Sequence, residues 1–501
     1  MALETLAKLK ARMAQVDDLN AAAAVLGWDQ TTYMPPGGAP ARGRQLATLS
    51  QLSHERFTAP EVGQWLGELA DWAAGRPDDD DDACLVRVVA RDHARMTRIP
   101  NELVGRLSAH TAASYAAWEV ARPADDFATM RPHLETTVAL AREVAEHFPH
   151  DHIADPLIDF ADPGMTVVTV RTLFDALRPR LVELARAIAA RPEPDTSCLR
   201  GTFDVAAQRA FGETVIRAFG FDFQRGRQDT TAHPFMTSFS IGDVRITTRF
   251  REDDVGDGLF STLHEAGHAM YEQGVDPALE GSTLAGGASS GVHESQSRLW
   301  ENVVGRSRGF WDHWYPELRA TFPHALRAVE VDTFHRAINR VMPSLIRVDA
   351  DEVTYNLHVM LRFDLELALL AGDLAVADLP GLWRERMTAD LGVTPPDDRD
   401  GVLQDVHWFG GLVGGAFQGY TLGNVLSAQL FDAAVRAHPE IPGDIASGRY
   451  HVLRDWLTQN LYRHGRKYLP VDGVTRAVGA PMSIEPYMAY LQGKFGALYG
   501  L

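Results

Sequence analysis

The stretch Leu263-His264-Glu265-Ala266-Gly267-His268-Ala269-Met270 decides how this chain is read. It contains H-E-x-x-H. Residues four apart share a helix face, so His264 and His268 can aim imidazole nitrogens at one metal ion. Glu265 stands one step round the same helix. There it can flank the metal without ligating it, which is the place for a general base acting on an activated water. Leu259, Leu263, Ala266 and Met270 add an apolar stripe beside the histidines. Asp253 to Gly258 reads as a turn, Ser261 or Thr262 can serve the first helical turn, and Gly274 is a helix stop.

A catalytic zinc needs a third protein ligand and an open fourth position. The metzincin extension fails, because Tyr271 stands where it requires glycine. The third ligand should then be a carboxylate, and Glu272, Glu280, Glu294 and Glu301 are the candidates. Glu272 would have to bend back along its own helix, and Glu280 sits in a loop. Glu294 is better placed. The glycine-rich segment from Gly281 to Gly291 reverses the chain, and His293-Glu294-Ser295-Gln296 opens a second helix that can lie against the first.

Upstream, His233-Pro234-Phe235-Met236 and Asp243-Val244-Arg245-Ile246-Thr247-Thr248-Arg249-Phe250 predict two short strands joined near Gly242. A strand beside a metallopeptidase cleft can hold an extended peptide by its main chain. The rest is helical in pattern. A helix over 1–25, a Pro-Pro-Gly-Gly turn and a second helix over about 42–52 read as an N-terminal hairpin within 1–55, with Trp28 and Tyr33 packing at its tip. Residues 75–82, with their run of five aspartates, read as a solvated loop. Helices follow over 83–150 and 168–190.

The chain has 501 residues, enough for two lobes around a cleft within one catalytic domain spanning 1–501. Its 48 basic and 67 acidic residues give a net charge of −19, which argues against nucleic-acid or anionic-membrane partners. Two cysteines, Cys84 and Cys198, form no framework and no metal-ligand spacing, which fits a reducing cytoplasm. There is no signal-peptide pattern and no run long enough for a membrane span.

Taken together, several segments resemble the carboxypeptidase Taq family of thermostable zinc carboxypeptidases. They are Trp28-Asp29 with Met34-Pro35, Asp243 to Thr247, the H-E-x-x-H and His293 to Gln296. Ile346-Arg347-Val348-Asp349-Ala350-Asp351, Gly401 to Trp408 and Tyr420 to Asn424 complete the set. The resemblance runs from about residue 20 to the C-terminus. It implies a mainly α, saddle-like fold with a deep groove and a small β element, related in architecture to neurolysin and angiotensin-converting enzyme. It implies His264, His268 and Glu294 as metal ligands and Glu265 as base. It also implies one zinc per chain, with cobalt able to occupy such a site, and a homodimer that removes single residues from free peptide C-termini with broad specificity.

His407 and Tyr420 are the expected donors to the oxyanion, the roles a His and a Tyr fill in the related groove-shaped peptidases. Arg347 is the expected reader of the α-carboxylate, because a guanidinium forks onto it; the bland alternative is an internal pair with Asp349 or Asp351. Arg245 is second, or instead caps the cleft and limits substrate length. Gln404 and Asp405 should support the site. Phe409 to Gly419 departs from the family's pattern and bears on side-chain preference. Two other readings use the same residues: an endo-acting zinc oligopeptidase, and a non-catalytic helical scaffold.

Overall fold

A computed structural model describes residues Ala2–Leu501. It is mainly α-helical with one three-stranded sheet of order β1-β3-β2, formed by β1 (Gly226–Thr230), β2 (Phe235–Ser240) and β3 (Asp243–Thr248). β3 pairs parallel with β1 and antiparallel with β2, with Val244 opposite Gly226 and Ile246 opposite Met236. The two expected strands are present. β1 was not predicted, because Gly-Arg-Gln-Asp-Thr carries no apolar alternation. Its buried face is polar: Gln228 donates to Thr248 and Thr262 at 2.7 and 2.8 Å.

The helix of the H-E-x-x-H runs Val255–Gln273. It starts earlier than the reading through Ser261 or Thr262 required. Asp254 is its N-cap, accepting from Gly256 N at 2.8 Å, so an orphan amide of the first turn is satisfied there. Thr262 instead lies buried inside the helix and bonds to Gln228. Gly274 is the C-cap, as expected. This helix is buried on almost every side. Val244 and Ile246 of β3 share a core with its Leu259, Leu263, Ala266 and Met270, together with Trp300, Trp311 and Leu430. Burial of this kind, about 25 cal/mol per Å² of apolar surface, fixes the helix to the scaffold rather than to its own propensity.

The second helix, Ser290–Arg298, is capped by Ser289 and so begins three residues before His293. It continues into a wider π-helical turn, Leu299–Val304. A third long helix, Gln418–Ala437, packs along it. The helix Tyr355–Ala371 is buried along its length and holds Arg362, His358 and Glu366 inside the protein.

At the N-terminus the hairpin is longer than predicted, with helices Ala2–Thr32 and Ala39–Phe57. Trp28 is buried, as a packing role requires, while Tyr33 is exposed but donates to Asp229 on β1 at 2.5 Å. The aspartate run is not wholly a loop. Asp80 caps the helix Asp81–Arg98 by accepting from Ala83 N at 2.9 Å, and Asp81 and Asp82 fill its first turn, where the helix dipole favours them. Among the described residues no helix is long and apolar enough to cross a membrane.

Candidate active site

His264, His268 and Glu294 come together. One ligand atom from each lies within 4.8 Å of the others. Oε2 of Glu294 is 3.8 Å from Nε2 of His264 and 3.5 Å from Nε2 of His268. A tetrahedral zinc with bonds of about 2.0–2.1 Å sets its donors about 3.3 Å apart. The three residues present therefore fit a divalent cation of that kind. The fit extends to the other ring nitrogens. His264 Nδ1 donates to Oε2 of Glu301 at 2.9 Å, and His268 Nδ1 lies 2.7 Å from Nδ1 of His293. Both Nδ1 atoms are engaged, and both Nε2 atoms are left for a metal.

The other three candidate third ligands have different tasks. Glu301 orients His264. Glu272 accepts from His293 at 2.8 Å. Glu280 accepts from the backbone of Ile241 at 2.9 Å, away from the group.

Glu294 reaches the site because its helix presses against the 418–437 helix at a glycine. A Cβ on Gly423 would stand 2.5 Å from Glu294 Cγ, so any side chain there would displace the carboxylate. Arg298 donates to Glu294 at 2.7 Å and lies over the ring of Tyr355. Burial works against the charged form of Glu294. Arg298, His264 and His268 outweigh it and hold the carboxyl far below the usual range. His268 is driven down to about 4 by burial, so it is neutral and its lone pair is available at physiological pH. Glu265 is buried, and that burial lifts its carboxyl to about 7 against the pull of His264. A carboxyl titrating near neutrality is matched to general base work.

His407 Nε2 and the Tyr420 hydroxyl lie 3.2 Å apart. Tyr420 is one helical turn before Gly423, on the face of its helix that meets Glu294. The unusual 409–419 segment supplies Phe417, whose ring packs 4.7 Å from His407.

Arg347 sits next to this pair, its guanidinium 5.1 Å from the centre of the Tyr420 ring. It is buried, and its partner is neither Asp349 nor Asp351. It binds Asp405 through Nη2 at 2.8 Å and Nε at 3.2 Å, and donates from Nη1 to Tyr355 at 2.8 Å. Gln404 accepts from the Arg347 amide at 2.9 Å and from Arg362 at 2.7 Å, so Gln404 and Asp405 brace the arginine. Asp351 instead closes the turn ahead of the helix Tyr355–Ala371, accepting from Val353 N and Thr354 N at 2.9 Å.

Arg245 is not part of this cluster. It alternates on β3 with Val244 and Ile246, on the opposite face from the core. There it forks onto Asp243 at 2.8 Å and stacks over Trp28 at 4.3 Å. Sequence reasoning gave no role to His293, Arg298, Tyr355 or Gly423. Their spacing from His264 and Glu294 on paired helices was the only available signal.

The match to known proteins covers nearly the whole chain. Residues 8–495 fit the family model described as carboxypeptidase Taq (M32) metallopeptidase. Thermostable carboxypeptidase 1 of Thermus thermophilus is 42% identical over 95% of each chain, and carboxypeptidase 1 of Bacillus subtilis is 35% identical over 97% of each. The crystal structure of the M32 carboxypeptidase from Deinococcus radiodurans superposes with a TM-score of 0.96 at 49% identity, covering 99% of this chain and 100% of that one. The class is thus a metallopeptidase of the carboxypeptidase kind on a mainly α fold. Within that class the chain belongs to the carboxypeptidase Taq (M32) family.

Proposed function

We propose that the protein is a zinc-dependent carboxypeptidase of broad specificity, with His264, His268 and Glu294 holding the ion and Glu265 as general base. The observation that carries this reading is the His264–His268–Glu294 group, with Glu265 buried beside it and titrating near 7. A bound divalent cation supplies Lewis acidity toward the scissile carbonyl and acidifies a water. Cobalt can fill the same donor set.

The protein's own groups do the rest. Glu265 accepts the water's proton as the carbonyl is attacked and delivers it to the leaving amine. His407 and Tyr420 donate hydrogen bonds to the developing oxyanion. Arg347 reads the free α-carboxylate. Three of its five N–H groups are engaged by Asp405 and Tyr355, so two remain for a substrate. Arg245, clamped between Asp243 and Trp28, bounds the path of the peptide. β2 is an edge strand and gives an extended peptide a main-chain partner.

The catalytic domain spans 1–501, with the 1–55 hairpin as part of the groove. The protein works as a cytoplasmic homodimer, so sedimentation should give twice the chain mass, and a single chain mass would refute that state.

Two peptides that differ only in C-terminal amidation test the function, with and without chelator, by mass spectrometry. The free peptide should shorten one residue at a time, and the amidated peptide should stay intact. Equal internal cleavage of both would instead establish the endo-acting reading.

A further inference from the structure

We propose that His293 is a positioning residue, the middle link of a relay that orients His268 toward the metal. The inference rests on His268 being a ligand. The relay is continuous. Nε2 of His293 lies 2.8 Å from Oε1 of Glu272, and Nδ1 of His293 lies 2.7 Å from Nδ1 of His268. A carboxylate accepts only, so His293 donates from Nε2 to Glu272. Its Nδ1 is then a lone pair, and it accepts the Nδ1–H of His268. That leaves His268 Nε2 bare, on the side where Glu294 stands 3.5 Å away. One tautomer of each ring satisfies every atom in the chain, and the same tautomer makes His268 a ligand.

The surroundings are built around this ring. A Cβ on Gly287 would fall 2.3 Å from His293 Cδ2, so only glycine leaves room for the imidazole there. Gly287 N also donates to Oε1 of Glu272 at 3.0 Å, tying the loop to the relay's far end. Tyr271 closes the other side, its ring 5.1 Å from that of His293 and its hydroxyl accepting from Ala288 N at 3.1 Å. The glycine-rich loop between the two ligand-bearing helices thus has a purpose beyond reversing the chain. It packs His293 against His268.

The two histidine ligands are consequently supported by different chemistry. His264 donates directly to a carboxylate, Glu301. His268 donates to a second imidazole, and the carboxylate is one ring further away. Outer partners of this kind tune metal affinity by roughly 10- to 100-fold.

The test is a zinc titration of metal-free protein against a chelating dye, for wild type, His293→Leu, His293→Gln and Gly287→Ala, with the melting temperature of each metal-free form. His293→Leu and Gly287→Ala should weaken zinc binding by about 10- to 100-fold. His293→Gln should recover most of that loss, since an amide can accept from His268 and donate to Glu272. The absorption bands of the cobalt-loaded protein should shift in His293→Leu and return toward wild type in His293→Gln. Wild-type affinity in both His293→Leu and Gly287→Ala would overturn the relay. So would a loss in His293→Leu that His293→Gln does not recover. Wild-type protein that takes up no zinc would overturn the metal site itself, and the relay with it.

Discussion

His264 donates from Nδ1 to Oε2 of Glu301 across 2.9 Å, and Arg298 and Arg306 hold that carboxylate from the other side. Glu301 is buried, yet Arg298 and His264 outweigh the burial and keep its carboxyl at about 2. It therefore faces His264 as an anion and fixes the ring with Nε2 outward. Glu301→Gln keeps the shape and removes the charge. Zinc affinity should fall by roughly 10- to 100-fold, measured by competition with a chelating dye. Unchanged affinity would mean that Glu301 only fills space.

Arg347 and Asp405 form a buried pair, with Arg362 as a second cation on the same carboxylate. Removing Asp405 leaves two guanidinium groups buried without it. Asp405→Ala should cost about 3–5 kcal/mol in denaturant unfolding. The pair of Arg245 with Asp243 is partly exposed, so Asp243→Ala should cost less than about 1 kcal/mol. Equal costs at the two sites would contradict the assignment of Arg347 and Asp405 to a buried framework.

His407 gives a prediction in pH. Burial lowers its pKa to about 4, well below the usual imidazole range near 6.5. The unfolded chain therefore binds this proton at a pH where the folded protein does not. Its contribution to stability is present above about 6.5 and is lost as pH falls toward 4. Between pH 7 and pH 5 wild type should lose about 2 kcal/mol relative to His407→Gln. Denaturant midpoints of the two proteins at both pH values measure this difference. A constant difference across that range would show that His407 is not held neutral by the fold.

The His264–His268–Glu294 group was legible because two of its members are local, spaced by one helical turn, and the third stands near the start of the next helix. The braces were not. Asp405 lies 58 positions from Arg347, and no periodicity links them. The nearer acids Asp349 and Asp351 were the natural guesses, but Asp351 is used in closing the turn before a helix. β1 was hidden for a related reason. Gln228 and Asp229 are buried through hydrogen bonds rather than apolar surface, so the strand carries none of the alternation that marks β3. The start of the H-E-x-x-H helix was misplaced because Asp254 caps it from within a run of acidic and glycine residues that reads as a turn.

In the proposed mechanism Glu265 works as the base at an ion held by His264, His268 and Glu294. Glu265→Gln, assayed for bound metal and for turnover of a peptide with a free C-terminus, tests it most directly. The variant should hold one divalent ion per chain, as wild type should, with turnover reduced by about 100- to 10,000-fold. Full turnover in that variant, or wild-type protein without a stoichiometric ion, would contradict it.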